Sequence, residues 1–152
     1  MRLTVKEFDH MLASGHLKIR GQRRGVAKKK SGRMSSRKVE MDGHVFDSVK
    51  EADIYYEFKL DPGIRIIKLQ PRFALLSPFK RENKTYRGIT YKADFKIRKN
   101  GVLWIVEVKS KGTLKANSKS WPMRRKLFLN IIPKYKFWEI IFDNGKREDK
   151  FY

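Results

Sequence analysis

Thr90-Tyr91-Lys92-Ala93-Asp94-Phe95-Lys96-Ile97-Arg98-Lys99-Asn100-Gly101-Val102-Leu103-Trp104-Ile105-Val106-Glu107-Val108-Lys109 sets two β-rich runs on either side of Asn-Gly. Asn-Gly in that setting is the strongest short-range hairpin signal, because both turn positions need a left-handed backbone that these residues accept. A two-residue turn fixes the register, so that Lys99 opposes Val102 and Asp94 opposes Glu107. Side chains alternate with period two. Asp94, Glu107 and Lys109 therefore share one face, and Ala93, Phe95, Ile97, Trp104, Val106 and Val108 share the other. The expectation is a hairpin with one greasy face and one that gathers two acids and a lysine. Like charges directly opposed destabilise such a pair, so a cation is expected between them.

Around this hairpin the chain reads as one mixed domain. Leu3 to Ser14 has the marks of a helix: Thr4 as cap, Glu7 at the capping-box position, Leu3 and Phe8 at staple spacing, and Gly15 as the stop. Val39 to Phe46 reads as a small hairpin around Asp42-Gly43, and Ser48 opens a helix that ends before Asp61-Pro62-Gly63. Val49, Ala52, Tyr56 and Leu60 form its apolar stripe. Ile64 to Gln70 and Phe73 to Phe79 are strands, Lys80 to Arg87 is a loop by composition, and Ser110 to Lys119 is polar and flexible. A helix starts near Ser120 with Pro122 in its first turn and stops at Pro133. Lys136 to Phe142 is the last strand, turned by Asp143-Asn144-Gly145. The order predicts an α/β (α+β) fold, a mixed sheet flanked by helices, without internal repeats.

The 152 residues carry a formal charge of +21. So large a charge repels itself and fits a polyanionic partner, DNA or RNA before an anionic membrane. No apolar run approaches the roughly 18 residues of a spanning helix, and no signal peptide is expected at the N-terminus. Zero cysteines exclude disulfides and thiolate zinc sites, which fits a cytoplasmic protein. His10, His16 and His44 lack metal-ligand spacing. Lys18 to Lys38 has no acid and three glycines, and reads as a mobile arm that binds phosphates through Arg20, Arg23, Arg24, Lys28, Lys29, Lys30, Arg33, Arg37 and Lys38. Lys111 with Arg124, Arg125 and Lys126 extends this basic set. A solvated charge run is the bland alternative. Trp121 and Trp138 read as core or helix-anchoring residues before base-stacking ones.

Asp94 and Glu107 are the right number and kind of ligand for Mg²⁺ or Mn²⁺, with the Val108 backbone carbonyl as a third oxygen. Such an ion assists phosphodiester hydrolysis. Lys109 fits charge stabilisation on the phosphate better than it fits a general base. In a chain so rich in lysine, acid-x-Lys alone also describes any amphipathic strand.

Asp94 followed by Glu107-x-Lys109 on adjacent strands resembles the PD-(D/E)XK, or restriction-endonuclease-like, nuclease superfamily. Val45-Phe46-Asp47-Ser48-Val49-Lys50-Glu51-Ala52, Leu69-Gln70-Pro71-Arg72-Phe73, Ile89 to Phe95 and Val106 to Lys109 resemble, more narrowly, a family of small phage and prophage proteins. That family is similar in layout to the phage endonuclease that resolves branched DNA. The resemblance covers about residues 39 to 142 and departs from the motif at Ala93, which stands where proline names it. It implies a restriction-endonuclease-like core over 39–152 after an N-terminal helix and basic arm over 1–38. It further implies catalytic Glu51, Asp94, Glu107 and Lys109, with Glu51 helping to bind metal or water, and the helix from Pro122 to Ile132 beside the site. The function implied is a metal-dependent endonuclease on branched DNA, such as a Holliday junction, in phage DNA processing in a bacterial host cell. Symmetric cleavage of a junction would make it a homodimer. Ser48-x-x-Glu51 is equally a capping box. A non-catalytic DNA-binding or packaging protein of the same fold is the alternative function.

Overall fold

A computed structural model of the chain describes Met11, Ser14, the backbone of Leu17–Ile19 and residues 37–152. Apart from Met11 and Ser14, the expected N-terminal helix lies outside these residues, as do His10, His16, Arg20, Arg23, Arg24, Lys28, Lys29, Lys30 and Arg33. The chain divides into two compact units after Leu60.

In the first unit, β1 (Leu17–Ile19), β2 (Val39–Met41) and β3 (His44–Phe46) form an antiparallel sheet. Lys18, expected in the arm, is a strand residue paired with Glu40; Leu-Lys-Ile alternates as a strand does. Asp42 and Gly43 both have positive φ (51° and 75°), the backbone of the tight hairpin turn that Asp-Gly predicts. Helix α1 (Val49–Leu60) then starts as a capping box: the Glu51 N–H donates to Ser48 Oγ, and the Ser48 hydroxyl and the Asp47 N–H donate to the Glu51 carboxylate. Its buried stripe is Glu51, Ala52, Ile54, Tyr55 and Phe58, not Val49, Ala52, Tyr56 and Leu60; Leu60 is 56 % exposed. Tyr55 decides the rotation. Its ring lies 5.0 Å from that of Phe46 and its hydroxyl donates to Asp42, which also takes Lys59 Nζ at 2.7 Å.

The second unit holds β4 (Ile64–Leu69), β5 (Arg72–Leu76), β6 (Phe79–Arg81), β7 (Lys84–Tyr86), β8 (Ile89–Lys92), β9 (Phe95–Lys99), β10 (Val102–Ser110), α2 (Lys111–Ala116), α3 (Ser120–Ile131), β11 (Lys136–Asp143) and β12 (Lys146–Phe151). The mixed α+β architecture is as expected. A five-stranded sheet runs β12-β11-β10-β9-β4, with β10 and β11 parallel and the other neighbours antiparallel. The β10–β11 crossover carries both helices, as a parallel connection requires.

Several segments depart from the expected elements. The supposed loop at 80–87 is the hairpin β6–β7, with Glu82 left-handed at its tip (φ 54°). The supposed flexible stretch after Ser110 is helix α2, because Ser110 Oγ caps it by accepting the Thr113 N–H. Lys136–Asp143 is not the last strand: Lys146–Phe151 pairs with it as a charged edge, the composition that protects sheet edges from further pairing.

The longest departure concerns Thr90 to Arg98, expected as one strand. It is two strands, broken at Ala93-Asp94: β8 pairs with β5, and β9 pairs with β4 and β10. The partner strand bends at the same level, where Gln70 is left-handed (φ 49°) and Pro71 follows. The Gln70 N–H donates to Asp94 O and the Ala93 N–H donates to Pro71 O, so the ribbon bends without losing its hydrogen bonds. The break also reverses faces. Ala93 was expected with Phe95, but it packs with Tyr91, Ile105, Trp121, Phe128 and Phe137 in the core beneath α3. Among the described residues no helix is long and apolar enough to cross a membrane.

At Gly88, between β7 and β8, a Cβ would lie 2.6 Å from the Leu76 carbonyl oxygen and 3.1 Å from Pro78. Gly88→Ala is expected to destabilise the fold by about 1–3 kcal/mol, since backbone must move. Gly112→Ala, where a Cβ meets only Ser110 Oγ at 4.0 Å, is expected to leave stability equal or slightly higher. Urea denaturation of both variants checks this; equal midpoints would remove the close approach at Gly88.

Candidate active site

The face expected to be polar is not a solvent face. Ile105, Glu107, Phe137 and Glu139 are all buried there, and the core cluster joins Ile105 and Phe137 to Trp121 and Phe128 of α3. Glu107 is only 2 % exposed, and the groups around it are arranged for a buried charge. Tyr91 OH donates to its Oε2 at 2.6 Å, and Lys109 Nζ pairs with its Oε1. Lys109, 22 % exposed, also lies 4.7 Å from the centre of the Trp121 ring, so one cation meets a carboxylate and an aromatic face together.

The β9–β10 ladder keeps the expected hairpin register as far as Phe95 opposite Val106, one residue short of Asp94. The Asp94 backbone N–H donates to Val106 O at 3.2 Å, and its Oδ2 accepts the Val108 N–H at 2.7 Å. That bond pins the aspartate to β10 between Glu107 and Lys109. In an extended strand the N–H and C=O of one residue point to the same edge, so the Val108 carbonyl is directed to the side of Asp94.

Glu139 is a third acid, which the spacing argument did not single out. It lies directly opposite Glu107 in the parallel β10–β11 register and is 1 % exposed. Trp121 Nε1 donates to its Oε1 at 2.6 Å, Arg125 pairs with its Oε2 at 2.7 Å, and Tyr152 OH reaches the same oxygen at 3.4 Å. A signal existed in Phe137-Trp138-Glu139-Ile140-Ile141, where one charge interrupts a buried apolar run. Tyr91 was likewise missed, because its hydroxyl acquires meaning only when β8 approaches β10. Together these residues form a continuous chain from Arg125 through Glu139, Trp121, Lys109 and Glu107 to Tyr91.

Burial is the main influence on Glu107, and it pushes the carboxyl above its ordinary value of 4.5. Lys109 and the Tyr91 hydrogen bond oppose this rise, while the neighbouring Glu139 adds to it. Tyr91 is raised well above its ordinary value by burial first and by Glu107 second, so its phenol keeps its proton and remains a donor.

Glu51 belongs to the first unit, where its carboxylate serves the cap of α1. Lys111 pairs with Asp143 at 2.6 Å and Lys38 with Asp47 at 3.7 Å, while Arg37, Arg124 and Lys126 are exposed. Arg125, expected on a DNA-facing surface, turns inward to Glu139 and lies 4.5 Å over the Tyr152 ring. Trp121 and Trp138 are buried, as expected of core and anchoring residues. His44 is exposed and meets the Tyr55 ring edge-on at 6.0 Å.

Among the described residues no three His, Cys, Asp or Glu side chains form a cage for a metal ion. Mg²⁺ does not require one, because it keeps several waters and uses one or two carboxylates. Asp94, Glu107 and the Val108 carbonyl fit that donor set, and each Glu107 oxygen retains a second lone pair beyond its bond to Tyr91 or Lys109.

The profile of one family, described as "Protein of unknown function (DUF1064)", matches residues 31–148. The chain belongs to that family. The match takes in Asp94, Glu107, Val108, Lys109, Glu139 and both helices between the parallel strands. No curated protein and no solved structure matches the chain.

Two stability measurements follow from the buried acids. A carboxyl whose pKa rises on folding holds its proton more tightly in the native state, so stability falls as pH climbs from 4.5 through the raised value and is level above it. Glu107→Gln removes this contribution, and the stability of the variant relative to wild type should grow across that window. A difference that does not change with pH would mean that Glu107 titrates as if in water. Arg125→Ala leaves Glu139 buried without its cation and should cost about 3–5 kcal/mol in urea denaturation; a loss below about 0.5 kcal/mol would mark Arg125 as a surface residue.

Proposed function

We propose that the protein is a metal-dependent DNA endonuclease that hydrolyses phosphodiester bonds, with Asp94, Glu107 and Lys109 as its reacting set. The observation that carries this reading is the 2.7 Å hydrogen bond from the Val108 N–H to Asp94 Oδ2, which holds the aspartate beside the Glu107-Val108-Lys109 strand. Mg²⁺ or Mn²⁺ bound there would polarise the phosphate and lower the pKa of an attacking water. Asp94 and Glu107 provide carboxylate oxygens, and the Val108 carbonyl provides a third. Tyr91 orients Glu107 through its retained proton. Lys109 neutralises Glu107 and supplies an ammonium for charge that develops on a phosphate oxygen. Trp121, fixed by Glu139, limits where that ammonium can lie. The charge of +21 supports a polyanionic substrate.

Branched DNA is the preferred substrate by the resemblance to phage junction-resolving enzymes, and two symmetric cuts would require a homodimer. The same resemblance gives a phage or prophage origin and the bacterial cytoplasm as its place of action. It also gives Glu51 a metal- or water-binding role, although the contacts of Glu51 support helix capping. One observation favours a different reading: both oxygens of Glu107 already have partners in Tyr91 and Lys109, which suits a structural pair in a non-catalytic DNA-binding or packaging protein.

Labelled linear duplex, single-stranded, flap and four-way-junction DNA, each with Mg²⁺, Mn²⁺ or EDTA, distinguish the two. The nuclease cuts only with metal and cuts the junction best, and Asp94→Asn or Lys109→Ala slows it by about 100-fold or more. If no metal elicits cutting while Asp94→Asn binds DNA as tightly as wild type or more tightly, the packaging reading replaces it.

A further inference from the structure

The hairpin β6–β7 forms a two-stranded sheet of its own, and every residue from Phe79 to Gly88 is exposed. Its sequence, Phe-Lys-Arg-Glu-Asn-Lys-Thr-Tyr-Arg-Gly, contains four cations and one acid. Among the described residues, none of Lys80, Arg81, Lys84 and Arg87 has a carboxylate at ion-pair distance.

The register sorts these residues by face. Phe79 opposes Tyr86, and Arg81 opposes Lys84. With period two, all four lie on one side of the ribbon, whereas Lys80 and Thr85 lie on the other. The two rings stack in parallel, with centroids 4.8 Å apart and planes 6° apart, and Lys84 Nζ is 5.3 Å from the Tyr86 ring centre. Phe79 is 43 % and Tyr86 38 % exposed. The aromatic pair explains how a hairpin outside the main sheet keeps its register. It does not explain Arg81 opposite Lys84, since opposed like charges weaken a hairpin. An anion held between them offsets that repulsion, and here the cations stand beside exposed aromatic faces. The root is firmly held: Gly88 has no room for a Cβ against Leu76 and Pro78, and β8 continues from it to Tyr91.

We infer that the β6–β7 hairpin is a binding wing for single-stranded DNA, in which Arg81 and Lys84 hold backbone phosphates and the exposed Phe79–Tyr86 pair packs against an unpaired base. Charge complementarity selects a phosphodiester chain, and exposed aromatic faces beside the cations select one whose bases are unstacked. The inference rests on the polyanion part of the proposed function and not on cleavage.

The test is fluorescence anisotropy of a labelled oligothymidylate and of a labelled duplex across a salt series in EDTA, where metal-dependent cutting cannot occur. Arg81→Gln with Lys84→Gln should weaken single-strand binding about tenfold at low salt and reduce the salt slope by about 1.4, the share of two phosphate contacts. Its urea midpoint should equal or exceed that of wild type, because opposed like charges are gone, so lost binding cannot be ascribed to unfolding. Phe79→Ala with Tyr86→Ala should weaken single-strand binding about tenfold and duplex binding much less. Arg65→Gln with Arg98→Gln removes another exposed opposed pair, on β4 and β9, and controls for net charge. Binding unchanged in the hairpin charge variant, or weakened equally in the control, overturns the inference. Equal losses on single strand and duplex in the aromatic variant overturn it too. Preference for oligouridylate, lost with the same substitutions, would make the occupant RNA. Hairpin-dependent binding by a chain that never cuts defeats the nuclease reading alone; a cutting enzyme indifferent to the hairpin defeats the wing alone.

Discussion

Two carboxylates buried side by side under one helix are the constraint from which the second unit is built. Glu107 and Glu139 face each other across the parallel strands β10 and β11, and both are nearly inaccessible to water. A buried charge is tolerated only when paired and hydrogen-bonded. The requirement recruits Tyr91 and Lys109 for one acid, and Trp121, Arg125 and Tyr152 for the other. These partners come from β8, β10, α3 and the chain end, so satisfying the two acids fixes where α3 lies on the sheet. Ile105, Phe128 and Phe137 supply the apolar contact, which is non-directional. The bonds to Glu139 are directional.

The bend at Ala93-Asp94 is the second device, and it serves the same place. Gln70 and Pro71 turn one strand of the ribbon while Ala93 and Asp94 turn the other, and two backbone hydrogen bonds cross the bend. The bend ends the β9 ladder just before Asp94. Just beyond the last ladder pair, the aspartate side chain accepts the N–H of Val108 on β10. An acid is thereby fixed at the end of a strand with a second acid and a lysine on the neighbouring strand. The proposed chemistry needs that arrangement, and it places the Val108 carbonyl on the same edge. The β6–β7 wing springs from the same ribbon, so a single pair of strands connects the proposed grip on DNA with the residues proposed to cut it.

Much of the fold was legible where local chemistry is decisive. Asp42-Gly43, Asn100-Gly101 and Asn144-Gly145 are turns with left-handed backbone at both residues, because Asn, Asp and Gly tolerate that conformation. The Ser48 cap and Pro133 bound their helices for equally local reasons. Charge misled in the other direction. Phe79–Arg81, Lys84–Tyr86 and Lys146–Phe151 are strands rich in lysine, arginine and acids, which composition assigns to loops. Ribbons outside the main sheet and edge strands can carry such residues because neither face must be buried. The stripe of α1 failed because helical spacing allowed more than one face, and Tyr55 with its contacts to Phe46 and Asp42 chose among them.

The sequence by itself determined the Asn100-Gly101 hairpin and its register as far as Phe95 opposite Val106, the shared face of Glu107 and Lys109, the charge of +21 and the mixed α+β class. These follow from turn geometry, period-two alternation and composition, none of which depends on distant residues. Only the tertiary structure decided that the acidic face is buried, that Glu139 joins it, that Arg125 points inward and that the strand breaks at Ala93-Asp94. Each of these depends on which segment covers another, and desolvation acts only once a helix has closed over a sheet.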